Sequence, residues 1–148
     1  MKALQRLLRP ARVVRAHCDG PCGVYDPAAA RIAAEAVLSM EKKIAALPAG
    51  DPASEHTRAR FILIKEQQAE ICKRELDILW HDYFKPEHLE KYPQLHDLFW
   101  KAAKLCSKNK HENDPANGQA LLDAIKEIHD IFWATKGRSD VPFYLANP

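Results

Sequence analysis

Apolar residues recur three and four positions apart in four blocks of this chain, and each block predicts an amphipathic helix. The first follows Asp26 and places Ile32, Ala36, Val37, Met40, Ile44 and Leu47 at helical spacing, until Pro48, Ala49 and Gly50 stop it. The second follows Asp51-Pro52. Phe61, Ile64, Ile71 and Ile78 are expected to form its inward stripe, flanked by Leu76, Leu79, Trp80 and Tyr83. Pro86 and Pro93 then bracket a segment, 83–93, that predicts irregular backbone. The third block carries Leu95, Leu98, Phe99, Ala102, Leu105 and Cys106 and should end in the polar run 107–113. The fourth opens at Asp114-Pro115, carries Leu121, Leu122, Ile125, Ile128, Phe132 and Trp133, and meets Gly137 as its stop.

The tripeptide Asp-Pro-Ala stands at 26–28, 51–53 and 114–116, ahead of three of the four blocks. An aspartate can accept from the free amides of a first helical turn, and a following proline lacks only a donor that this turn cannot use. Four amphipathic helices on short connections predict an all-α protein, an antiparallel four-helix bundle. At 148 residues the chain suits a single domain. The expected organisation is a leader at 1–16, a hook at 17–25 outside the helical period, the bundle at 26–137 and an extended tail at 138–148.

Charge separates the leader from the rest. Lys2, Arg6, Arg9, Arg12 and Arg15 stand in 1–16 with no acid, whereas 17–148 holds 17 basic against 20 acidic residues, a net of −3. Nothing in that remainder resembles a basic nucleic-acid footprint, and no run approaches the roughly 20 apolar residues of a membrane span. No nucleic-acid or membrane partner is therefore expected. Arginines also break the leader's apolar residues too often for the core of a secretory signal, which needs about 7–15 in a row. A removable propeptide is the favoured reading of 1–16, with an ordinary floppy terminus as its alternative; a transit-like segment and export stay open.

Four cysteines do not build a disulfide framework here. Cys72 and Cys106 sit in helical patterns and read as buried small hydrophobes, a usage that fits a reducing, cytoplasmic setting. Histidines 56, 81, 88, 96, 111 and 129 read as surface or capping residues. That leaves Cys18 and Cys22 as the one candidate thiolate pair, in His17-Cys18-Asp19-Gly20-Pro21-Cys22-Gly23-Val24-Tyr25. Gly20, Pro21 and Gly23 permit a tight turn, and the Gly20–Pro21 bond is expected to be cis. A closed zinc site would want four side-chain ligands, and no second Cys/His pair follows. On residue types alone a metal site, a reversible disulfide and an inert loop all remain open.

Cleavage after Ala16 would make His17 the terminal residue. Its amine, a deprotonated backbone amide and two thiolates could then form a square-planar set of two nitrogens and two sulfurs, which points to nickel or copper rather than zinc.

The segment 17–25 resembles the HCxxPCGxY signature of the nickel superoxide dismutase family. The resemblance continues through Asp26-Pro27, Ala30-Arg31-Ile32, Ile64-Lys65-Glu66-Gln67, Leu79-Trp80-His81-Asp82-Tyr83-Phe84-Lys85-Pro86 and Glu90-Lys91-Tyr92-Pro93, ending near Ile131-Phe132-Trp133-Ala134-Thr135-Lys136. It implies a superoxide dismutase that turns superoxide into oxygen and hydrogen peroxide, with one nickel ion per subunit cycling between divalent and trivalent states. By this resemblance His17 ligates through its amine and, when oxidised, its imidazole. Cys18 would give a backbone nitrogen and a thiolate, and Cys22 a thiolate. Tyr25 would stand over the open face with Tyr83 as neighbour, and Lys85 would draw in the anion. A homohexamer, a processing protease and a nickel donor are implied as partners.

Two positions depart from the family pattern. A glutamate on the first helix and an arginine on the second usually help hold the axial imidazole; Ala33 and Gln68 stand there in this chain. Losing both together strands no buried charge, but it removes partners that orient a ligand and tune its metal. The alternatives kept beside the enzyme are a nickel or copper carrier without turnover, and a helical interaction protein in which Cys18 and Cys22 form a thiol switch.

Overall fold

The computed structural model describes residues 24–146. His17, Cys18, Cys22, the leader and the Gly20–Pro21 bond lie outside the described residues.

Five α-helices account for most of that span: α1 (Ala28–Ala45), α2 (Pro52–Ile78), α3 (Pro86–Lys91), α4 (Leu95–His111) and α5 (Pro115–Thr135). Asp51 and Asp114 are N-caps followed by proline, as expected, whereas at the first start Pro27 takes the N-cap position and Asp26 stands one residue ahead of it. Asp26 Oδ1 accepts from the Ala28 amide at 2.8 Å, Asp51 Oδ2 from the Ser54 amide at 2.9 Å, and Asp114 Oδ1 from the Ala116 amide at 2.9 Å. The bonds from Ser54 favour the ionised Asp51 carboxylate and hold it below its usual range. The two predicted glycine stops adopt the left-handed conformation, Gly50 at φ 82° and Gly137 at φ 71°.

The four long helices pack as a ring in which α1 meets α2 and α5, and α4 meets α2 and α5. Short connections alternate their directions. The α1–α2 and α4–α5 turns thus lie at one end, and Tyr25, the α2–α4 connection and the start of the tail at the other. Phe132, Leu76, Leu79, Leu95, Leu121, Ile125 and Ile128 fill the centre, each fully buried. Cys72 and Cys106 are also free and buried there, as expected.

Three expectations need correction. The inward stripe of α2 is Ser54, Lys65, Ala69, Cys72 and Leu76, not the predicted set. Ile64 and Ile71 face outward, and Phe61 and Ile78 are only half-buried. Small residues decide this. Ala30, Ala33 and Ala34 on α1, with Ala69 and Cys72 on α2, let the two helices with the most extensive mutual contact approach closely. Segment 83–93 is not wholly irregular, since α2 runs into a π-helical turn at Leu79–Tyr83 and α3 follows directly. His129, expected at the surface, is buried. Its Nε2 donates to the Val141 carbonyl at 3.2 Å, and its ring meets Phe143 edge-on at 5.2 Å.

Those last contacts show that the extended tail is laid along the bundle. Phe143 and Leu145 pack against the core, and the Arg31 guanidinium lies 5.7 Å from the Tyr144 ring. Leu145 also lines a groove with Leu38 of α1 and Leu122 of α5. No helix among the described residues is long and apolar enough to cross a membrane.

Candidate metal centre

Of the six site residues expected from sequence, Tyr25, Tyr83 and Lys85 fall in the described span. Tyr25 is half-buried, one residue before Asp26, and packs against the core. Its hydroxyl donates to the Glu75 carboxylate on α2, and it lies 3.4 Å from the Glu75 carbonyl oxygen. The segment just after the hook is thereby tied to the C-terminal part of α2.

Tyr83 closes the π-helical turn at the same end of the bundle. An extra residue per turn there moves the side chains off the regular α-helical register. Its ring lies 4.4 Å from Phe132, 5.1 Å from Phe84 and 5.6 Å from His88, the last pair stacked at 19°. Its hydroxyl shares a 2.6 Å hydrogen bond with Thr135 Oγ1. Burial disfavours the phenolate and pushes Tyr83 above the usual tyrosine range, with the Thr135 bond opposing it. Tyr25 takes its hydroxyl partner from α2, and Tyr83 takes its own from α5.

Lys85 is exposed at the start of α3, and its amide donates to His88 Nδ1 at 3.2 Å. His88 is thus a capping residue, as the sequence suggested. Lys85 enters none of the ion pairs among the described residues. Lys136 adds a second cation nearby, its ammonium 5.3 Å from the Tyr83 ring centre and 4.8 Å from that of Phe132.

The two departing positions differ in setting. Ala33 is buried in the α1 core, and Gln68 is half-buried on α2. The charged pair at the start of α1 is Arg31–Glu35, 3.0 Å apart. Sequence reasoning missed Glu75, which lies 50 residues from Tyr25 in a helix whose charged residues look like an ordinary solvated face. Among the described residues no group of three or more His, Cys, Asp or Glu side chains could hold a metal ion.

Comparison with known proteins bears directly on this arrangement. A family profile described as nickel-containing superoxide dismutase matches residues 12–136. The chain is 53% identical to the superoxide dismutase [Ni] of Streptomyces seoulensis over 133 residues, which is 90% of this chain and 98% of that one. It is 51% identical to the counterpart from Streptomyces coelicolor over the same shares. Among solved structures, native nickel superoxide dismutase superposes with a TM-score of 0.74 at 51% identity, covering 82% of this chain and 100% of the other. A crystal structure with nickel ligation of the oxidised state gives 0.73 at 52%, with the same coverage. The profile ends at Lys136, so the tail laid along α1 and α5 lies beyond it.

Proposed function

Because this chain belongs to the nickel-containing superoxide dismutase family, and is thus a nickel-dependent oxidoreductase acting on superoxide, we propose that His17, Cys18 and Cys22 hold its metal once residues 1–16 have been removed. Family membership decides against the carrier and thiol-switch alternatives. The observation that carries the site assignment is the matched span itself, 12–136, which runs unbroken through the hook, Tyr25, Tyr83 and Lys85.

The donor set fits the metal. Two thiolates within five residues, next to a histidine that cleavage would make terminal, supply the sulfur and nitrogen ligands that a square-planar nickel site favours. When bound, the nickel ion supplies a one-electron couple that can oxidise one superoxide and reduce the next. The chain's own residues do the remaining work. Cleavage after Ala16 converts a peptide nitrogen into an amine, so ligation depends on processing. Tyr25, anchored on α2 beside the hook, restricts approach to small anions. Lys85 is exposed and enters no ion pair among the described residues, so its charge is placed to attract an anion to a chain whose portion 17–148 is net negative.

The same reading makes the mature protein a homohexamer. The outward apolar residues of α2, with Leu63 57% and Ile71 44% exposed, and Trp100 of α4 at 55%, support burial between copies. It also requires a protease for the leader and a source of nickel. Free, buried Cys72 and Cys106 support a cytoplasmic setting.

One experiment tests the site. The full chain, the chain beginning at His17 and its Cys22→Ser variant are each offered nickel, then assayed for bound metal and superoxide decay. Only the processed wild-type chain should bind nickel tightly and remove superoxide. Equal activity in the uncleaved chain would overturn the requirement for a free His17 amine. Light scattering on the processed protein tests the hexamer.

A further inference from the structure

Tyr25 reaches the described structure at the one place where the hook gives way to the bundle. Two residues separate it from Cys22, and one position later the Asp26 carboxylate accepts from the Ala28 amide in the first turn of α1. Among the described residues, the Asp26 bond ties this junction to α1, and the Tyr25 hydroxyl ties it to Glu75 of α2. A phenol donating to a carboxylate is a charge-assisted bond, about twice as strong as a neutral one. Glu75 is half-buried at the edge of the inward stripe, next to Leu76, so water competes less well for its carboxylate than at an open surface.

We propose that Glu75 is a positioning residue for Tyr25: its carboxylate accepts the phenol's hydrogen bond, fixes the orientation of the ring, and so determines how readily small anions reach the metal. This rests on the reading that Tyr25 guards the open face. A tyrosine hydroxyl has a single proton to give. Once it is committed to Glu75, it is not offered to an anion above the hook. Glu75 also supplies a charged anchor at the foot of the hook in a chain where Ala33 and Gln68 replace the usual charged pair. The anchor acts on the loop that leads into Tyr25, from α2, the same helix that carries Gln68.

The test uses the nickel-loaded enzyme beginning at His17, with Tyr25→Phe, Glu75→Ala, Glu75→Gln and the Tyr25→Phe/Glu75→Ala double variant. Each is measured for nickel content, thermal midpoint, superoxide kcat/KM and the affinity of azide as an anion probe. Glu75→Ala should shift azide affinity and kcat/KM by about three- to tenfold, the range of one such hydrogen bond, with nickel content unchanged. Glu75→Gln should recover most of the shift, because its amide oxygen accepts the same bond. The double variant should equal the more affected single, since both substitutions break one bond. Additive effects, or a Gln variant as altered as the Ala variant, would show that Glu75 does not act through Tyr25. If Tyr25→Phe alters both readouts and Glu75→Ala neither, only this proposal falls. If Tyr25→Phe itself alters nothing, the guarding role of Tyr25 falls and the proposal with it.

Discussion

The two ends of the bundle handle polar groups in opposite ways. At the hook end, Tyr25, Glu75, Tyr83 and Lys85 are half-buried or exposed, and each polar group already has a partner or faces water. At the far end, Glu41, Lys65 and Asn109 are enclosed by all four long helices at 0–2% exposure. The Lys65 ammonium donates to the Glu112 carbonyl, where the C-terminus of α4 favours a cation. Asn109 Nδ2 donates to the carbonyls of Leu105 at 2.9 Å and Asn117 at 3.3 Å, bridging α4 and α5. Among the described residues, neither Glu41 carboxylate oxygen has a side-chain or backbone partner that meets hydrogen-bond geometry. Burial is the largest influence on Glu41 and raises it from 4.5 to about 7, against the attraction of Lys65 and the Gly118 amide and with repulsion from Asp114. The proposed site thus adjoins the end whose polar groups meet partners or water, whereas the enclosed charges lie at the opposite end.

That contrast predicts separable failures. The largest is chemical: Cys22→Ser should abolish nickel binding and superoxide removal while leaving the unfolding midpoint close to wild type, checked by metal analysis and calorimetry. At the far end the reverse should hold. A methyl group at Gly118 would collide with Glu41 Oε2 and lie 3.0 Å from Leu38 Cα, forcing α1 and α5 apart. Gly118→Ala should cost about 1–3 kcal/mol in urea unfolding, after any gain in helix propensity, with activity per bound nickel unchanged. Loss of both properties in either variant would break the division between the ends.

Removing the tail after Lys136 tests whether the hook end is also held from outside. It strips Phe143 and Leu145 from the core and Val141 from His129, and should cost about 1–2 kcal/mol. Since Tyr144 covers Arg31 in the first turns of α1, nickel should also dissociate faster from the processed, truncated protein.

The smallest effect is the pH dependence. Glu41 binds its proton more tightly folded than unfolded, so it stabilises the fold below pH 4.5, and that contribution is lost as pH rises to about 7. Urea unfolding of the uncleaved chain should therefore show stability falling across that window, and Glu41→Gln should flatten this part of the slope. An unchanged slope would mean that Lys65 and Gly118 compensate the carboxylate fully.

Much of this protein is legible in its sequence. The three Asp-Pro starts, the two glycine stops and the helical period suffice for an all-α bundle with short turns, because caps and periodicity are local properties. The candidate ligands stand out in the sequence as well, since they fall within six consecutive positions, which lie outside the described residues. The inward face of α2 was not legible. Its apolar stripe through Ile64 and Ile71 competes with one of Lys65, Ala69, Cys72 and Leu76, and residue hydrophobicity favours the wrong one. Only close packing against the alanines of α1 selects the second. Nor does any spacing pair Tyr25 with Glu75, Tyr83 with Thr135, or Glu41 with Lys65, because each pair joins segments that meet only when the helices assemble. The sequence by itself determined the four long helices and gathered the candidate nickel ligands into one short segment. The tertiary structure decided which face of α2 is buried and what holds Tyr25, because both depend on how closely two helices approach.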